Sequence, residues 1–243
     1  MDESFGTSLL ASLLAAAVTT GGILTIRRFR LWALGNTTYF ACFAAGVLLA
    51  VSFIHVLPES FAMSAQAPVF LLAGYLLMLL MNRFLTAYVC DRPERSNYAL
   101  GLVPLLGIAL HSFLDGVVYS IGFSVSLFTG ALVAFGMVLH EFPEGIVTYA
   151  LLVRSGLAER RAFLLAFLAA AATTPMGMLL SYPFISRIDE PLLGSMLALS
   201  AGALVYVGAT HLLPQAQLEP RRYSLVALAA GLAVAIGIVF SKG

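Results

Sequence analysis

Polar residues along the 243-residue chain fall into short clusters between long apolar runs. The pattern places eight such runs near 9–26, 38–56, 69–89, 99–121, 127–153, 162–185, 192–213 and 223–240. A helix needs about 20 mostly apolar residues to cross roughly 30 Å of hydrocarbon, and each run is close to that length. The connections are short, which leaves no room for a separate soluble domain. The expected fold is an all-α membrane protein, one transmembrane domain over 1–243. Its first three spans lie in 1–97, a central pair in 98–155 and the last three spans in 156–243.

Composition agrees: 60% of residues are hydrophobic and 10% charged, and the mean hydropathy is +0.97, outside the range of soluble domains. Charge then orients the chain. Arg27, Arg28, Arg30, Arg83, Arg92, Arg95, Arg154, Arg160, Arg161, Arg221 and Arg222 fall on the connections from odd to even spans, against Arg187 and Lys242 on the other side. Eleven against two puts the former in the cytoplasm, so eight spans leave both termini extracytoplasmic. Asp2 and Glu3 precede the first span and its arginines follow. That is the reverse of a secretory signal, so it is read as a span. Cys42 and Cys90 map near cytoplasmic ends, where a disulfide is not expected.

Candidate chemistry sits where the chain is most apolar. "HSFLDG" begins at His111 in span four and "HEFPEG" at His140 in span five, a shared H-x-F-x-[DE]-G. "HVLPE" at His55 and "HLLPQ" at His211 share H-x-L-P in spans two and seven. Each pair lies on spans of opposite direction, the signature of inverted repeats with a site at the midplane between them. This predicts a 3+2+3 bundle, spans one to three mirroring six to eight around the central pair.

Residues four apart share a helix face, which stacks His111 over Asp115 and His140 over Glu144. Pro143 frees a carbonyl near Leu139. Gly116 and Gly145 let the two helices approach, with Glu141 about 100° around from His140. An ionised carboxylate at that depth costs about 2.5–3.5 kcal/mol on insertion scales, and no Lys or Arg lies in the core of spans four or five. A divalent cation would balance the charge, and imidazole with carboxylate suits zinc and other first-row metals better than calcium or magnesium. Purely structural His–acid pairs and a metal-free proton relay stay open on the residues alone. Met137, Met176, Met178 and Met196 are read as packing, as are most aromatics.

These motifs resemble the fourth- and fifth-span signatures of the ZIP (Zrt/Irt-like) divalent metal transporters, commonly H-N-F-x-[DE]-G and H-E-x-P-[HE]. The resemblance implies eight spans with both termini outside, arranged 3+2+3. It implies a central metal on His111, Asp115 and Glu144, with Ser112 replacing an asparagine and Glu141 in a second-site position. Two-metal members carry an acid before a proline in span six, where this chain has Thr174 before Pro175. A mononuclear site of His111, Asp115, Glu144 and His140 is therefore expected. The connection "CDRPERSNY" lacks the long histidine-rich loop of many relatives.

The expected function is secondary or passive transport of Zn²⁺, with Cd²⁺, Fe²⁺ and Mn²⁺ as other candidate cargoes. The direction is into the cytoplasm across a plasma membrane (the inner membrane of a Gram-negative cell). The metal is a transported substrate and not a cofactor, and no enzyme activity is expected. His55 and Glu59 would collect it outside. Thr174 lies along the way, and His211 would release it inside, where Gln215 in place of an acid weakens retention. No G-x-x-x-x-G-K-[ST] loop for ATP is present. The lipid bilayer and the ion are the expected partners, with a homodimer as candidate assembly and no nucleic acid. The rival reading is a zinc-dependent intramembrane hydrolase using the same ligands. A di-haem carrier would need histidine pairs without adjacent acids.

Overall fold

The computed structural model describes residues 3–90, 97–214 and 222–241; the side chains of 85–90, 97–104 and 211 lie outside that description. Arg92, Arg95, Gln215, Arg221 and Lys242 therefore fall outside the described residues. Among the described residues eight apolar helices follow in order: α1 (Glu3–Arg28), α2 (Arg30–Met63), α3 (Ala67–Cys90), α4 (Asn97–Val125), α5 (Leu127–Arg154), α6 (Glu159–Ile185), α7 (from Glu190) and α8 (Ser224–Phe240). No strand occurs among the described residues. The first seven are long and apolar enough to cross a membrane. With 17 residues, α8 reaches about 26 Å at 1.5 Å per residue. The chain is a multi-pass membrane protein.

Helices overrun the expected spans where polar residues still favour helix. α2 starts at Arg30 rather than near 38, separated from α1 by Phe29 alone, and continues to Met63. Arginine is a good helix former, and its long stem lets the charge leave the apolar layer. Hydropathy therefore marks the buried length of a span but misses its ends.

Three helices widen into single π-helical turns: Ser52–Val56 in α2, Phe167–Ala171 in α6 and Val207–Leu212 at the end of α7. Each precedes a proline, at positions 58, 175 and 214. A proline ring displaces the carbonyl four residues back; those carbonyls belong to Ile54, Ala171 and Thr210, each inside a π turn. The H-x-L-P motif thus places its histidine on a widened turn, a feature common at functional sites.

The exterior is apolar, with Leu10, Leu72, Leu80, Leu180 and Leu225 exposed, because lipid is the solvent there. Inside, small residues set the closest crossings. α1 packs on α5, α4 on α6, α2 on α8 and α3 on α7. Thr19 and Gly22 of α1 meet Gly145 and Phe142 of α5, while Thr174 and Gly177 of α6 meet Gly116 and Phe113 of α4. Both crossings have the same register: a glycine three residues after a threonine against a glycine three residues after a phenylalanine. A Cβ added at any of these four glycines would overlap backbone of the facing helix, so no side-chain rotation relieves it. The α4–α5 pair these crossings clamp carries both histidine–acid motifs.

Candidate metal centre

α4 and α5 run antiparallel through a sharp reversal at Ser126, whose hydroxyl caps α5 by accepting from the Thr129 amide at 3.0 Å. α4 delivers His111 and Asp115, and α5 delivers His140 and Glu144, to one buried point. His111 Nε2 lies 3.6 Å from Asp115 Oδ2 and 3.5 Å from Glu144 Oε2. His140 Nε2 lies 3.2 Å from Asp115 Oδ2 and 3.6 Å from Glu144 Oε2. The same four atoms form all four contacts, and one donor atom from each residue lies within 4.8 Å of every other. The imidazoles stand edge to face at 5.7 Å and 82°.

Zinc binds imidazole nitrogen and carboxylate oxygen at about 2.0–2.2 Å. A regular tetrahedron of that radius has edges of about 3.3–3.6 Å, which is the range of the contacts here. The i,i+4 stacking expected from the sequence is present, and α4 and α5 also cross-pair, each histidine touching the other helix's acid. His140 is 2% and Asp115 5% exposed, so water contributes little to balancing their charge.

Ser112 and Glu141 stand beside this quartet. The Ser112 hydroxyl donates to Glu144 Oε1 at 2.9 Å and has the Ile108 carbonyl at 3.0 Å. It holds one Glu144 oxygen and leaves the other for the histidines. Glu141 is fully buried and turns toward α1, where the Thr19 hydroxyl donates to its Oε2; its Oε1 has no hydrogen-bond partner among the described residues. Thr174 is also fully buried, at the crossing beside Gly116 and so one residue on from Asp115, and its hydroxyl is likewise unpartnered among those residues.

Thr19 and Thr129 are absent from the sequence-based site. Thr19 lies in "TTGG", which reads as a small-residue packing stretch. Thr19→Val keeps the shape and removes the donor, leaving one end of a buried carboxylate unsatisfied. Such a loss costs about 1–3 kcal/mol. The expected result is a lower melting temperature of the detergent-solubilised protein, restored by Thr19→Ser.

His55 sits on its π turn at the other end of α5. Its Nε2 lies 3.0 Å from Thr129 Oγ1, and its ring packs edge-on to Phe128 at 5.1 Å. Glu59 follows in the next turn, half-buried. His55 and Glu59 are not part of any cluster of three or more potential ligands among the described residues. The His211 backbone lies in the α7 π turn, but its side chain, like Gln215, falls outside the described residues.

A bundle with an apolar exterior and, among the described residues, a largely buried quartet of two imidazoles and two carboxylates defines a polytopic membrane protein with metal-ligand chemistry in its interior. The profile of the family described as ZIP Zinc transporter matches residues 91–240, and the chain belongs to that family. Similar proteins include Zinc transporter ZIP13 of Pongo abelii, 25% identical over 218 residues, covering 80% of this chain and 64% of that protein. Zinc transporter ZIP9-B of Xenopus laevis is 28% identical over 161 residues, 62% of this chain and 53% of that protein. Zinc transporter ZIP4 of Homo sapiens is 32% identical over 125 residues, half of this chain and 19% of that protein. The chain thus spans less than two thirds of the length of these relatives.

Proposed function

We propose that this chain carries a divalent transition-metal cation, Zn²⁺ foremost, across a membrane as a secondary or passive transporter, with His111, Asp115, His140 and Glu144 holding the ion at mid-bilayer. The observation that carries the reading is the quartet itself: four donor atoms, largely buried, whose four histidine–acid contacts of 3.2–3.6 Å match the edge lengths of a zinc tetrahedron, with no arginine or lysine in contact among the described residues. Ionisable groups inside a membrane mark ion pathways, and a mobile dication is the countercharge this donor set prefers. Ser112 positions Glu144, while Glu141 and Thr174 lie on either flank.

Several observations support the finer parts of this reading. The matching registers of the α1–α5 and α6–α4 crossings, and the π turns that carry both H-x-L-P histidines, support a 3+2+3 bundle of inverted repeats. The eleven-to-two arginine and lysine asymmetry supports extracytoplasmic termini; inward transport across a plasma membrane is the direction proposed for that orientation. His55 contacts Thr129, eleven positions before His140 on α5, or roughly 16 Å along the helix. With Glu59 it forms an outer waypoint, and His211 with Gln215 an inner one. Cadmium, iron and manganese suit the same donors, since such sites rank metals by the Irving–Williams order.

The hydrolase alternative needs three protein ligands and an open position for water. Here four side chains close the shell. Purified protein in proteoliposomes is expected to take up radiolabelled zinc saturably without ATP and to leave lipid esters and amides intact. Lipid cleavage without metal movement would reverse the choice.

A further inference from the structure

A second built site lies at the arginine-rich end of the bundle, away from the metal quartet. There α1 ends, α2 begins, α5 ends and α6 begins, and between them is a cavity of about 290 Å³. Its polar lining is Arg27, Arg30, Arg154, Tyr149 and Glu159; Ile26, Leu34, Ala150 and Val153 form the apolar part. Three positive side chains less one negative leave a net charge of two. None of the three guanidinium groups has an ion-pair partner among the described residues. The Arg27 guanidinium lies over the Phe163 ring, 5.7 Å from its centroid, which orders its stem without neutralising it.

Tyr149 supplies the independent indication. The side chain is 5% exposed, lines the cavity, and its hydroxyl makes no hydrogen bond among the described residues. The hydroxyl therefore opens into the space that the three arginines line, free to donate to a ligand seated there. A hydroxyl donor and planar guanidinium forks around one small cavity are the recognition chemistry of a phosphate.

The same opening continues onto lipid-facing surface. Leu34 lines the cavity at 43% exposure, and Phe29, Leu31 and Trp32 beside it are 57%, 89% and 51% exposed. A phosphate with acyl chains attached can seat its head among the arginines and lay its tails along this apolar rim; a free phosphate has no use for the rim. We infer that the cavity between the α1–α2 and α5–α6 connections binds the phosphate of an anionic glycerophospholipid. Basic pockets between helices near a membrane face are suited to such headgroups. Glu159, in the same lining, offers an acceptor for a headgroup hydroxyl, and its charge disfavours multiply phosphorylated heads. The bound lipid would bridge four helices, two of which, α1 and α5, form the glycine crossing that supports the metal quartet.

The chain's single tryptophan, Trp32, is two positions from Arg30 and serves as the reporter. The full chain is placed in phosphatidylcholine bilayers, and quenching by brominated phosphatidylglycerol is compared with quenching by brominated phosphatidylcholine. The relative binding constant is expected to be about thirtyfold in favour of phosphatidylglycerol, the factor that roughly 1 kcal/mol for each of the two net positive charges supplies near a membrane surface. It should fall toward one in an Arg27→Gln/Arg30→Gln/Arg154→Gln variant. Arg154→Gln alone should lower it measurably, which covers failure of the triple variant to reconstitute. Arg160→Gln/Arg161→Gln removes two charges from the same face outside the cavity and should leave it unchanged. Equal quenching by the two lipids in the wild type, or equal losses in cavity and non-cavity variants, overturns the inference. Millimolar inorganic phosphate should leave the quenching intact; displacement of the lipid by phosphate overturns it in favour of a soluble phosphate compound.

Discussion

Zinc uptake into proteoliposomes falls by more than about 100-fold in His111→Ala, Asp115→Asn and Glu144→Gln, because even groups that only support a metal's ligands contribute roughly 10- to 100-fold. His111→Ala deletes one donor of the quartet, and each amide replaces a carboxylate by a neutral group. Asp115 Oδ2 is shared between both imidazoles, at 3.6 Å and 3.2 Å, so its loss disconnects α4 from α5 as well as from the ion. The conservative changes separate the two effects. Asp115→Asn keeps volume and packing while losing the charge that attracts the metal, and the fold should persist with uptake abolished. His140→Ala leaves a buried carboxylate without its 3.2 Å partner, and breaking a buried pair costs about 3–5 kcal/mol. That variant should lose thermal stability in detergent as well as uptake. Wild-type zinc uptake in Asp115→Asn and Glu144→Gln together would remove the quartet from the transport path.

Much of the centre is legible in the sequence because its physics is local. A histidine and an acid four residues apart must share a face, and an apolar context forces that face inward. His111, Asp115, His140 and Glu144 were therefore predictable as two stacked pairs. The cross-contacts that make them one site depend on how closely α4 and α5 approach, and no spacing along either helix encodes that distance. The same limit hides Thr19. Its hydroxyl matters through Glu141, more than a hundred residues away, and only the α1–α5 crossing brings them together. Helix ends were misread because hydropathy breaks at Asn36 to Thr38 and again at Pro58 and Glu59, although the helix runs from Arg30 to Met63. The π turns follow from Pro58, Pro175 and Pro214, yet Pro143 sits in α5 without one. Proline thus permits the widened turn, and packing decides where it appears.

The second large effect concerns two adjacent glycines on α1. A Cβ on Gly22 overlaps the carbonyl of Phe142 on α5, whereas a Cβ on Gly21 meets nothing within 4 Å. Gly21→Ala should be neutral or stabilising by up to about 1 kcal/mol, from the better helix propensity of alanine. Gly22→Ala must push α1 away from α5, because the obstacle is backbone and has no rotamer. Overpacking of this kind costs about 1–3 kcal/mol, occasionally more, and Gly22→Val should cost more still. Displacing α1 also pulls Thr19 from Glu141, three residues before Gly22 on the same face, adding the loss of a buried carboxylate's donor. The mirrored crossing gives the same expectation for Gly177→Ala against Phe113 and for Gly116→Ala against Thr174. Gly116 directly follows Asp115, so that variant should lower zinc affinity together with stability. Thermal unfolding in detergent orders these variants. A Gly22→Ala protein as stable as Gly21→Ala would mean that α1 and α5 do not pack at this register, and the geometry of the quartet clamped between the two crossings would lose its support.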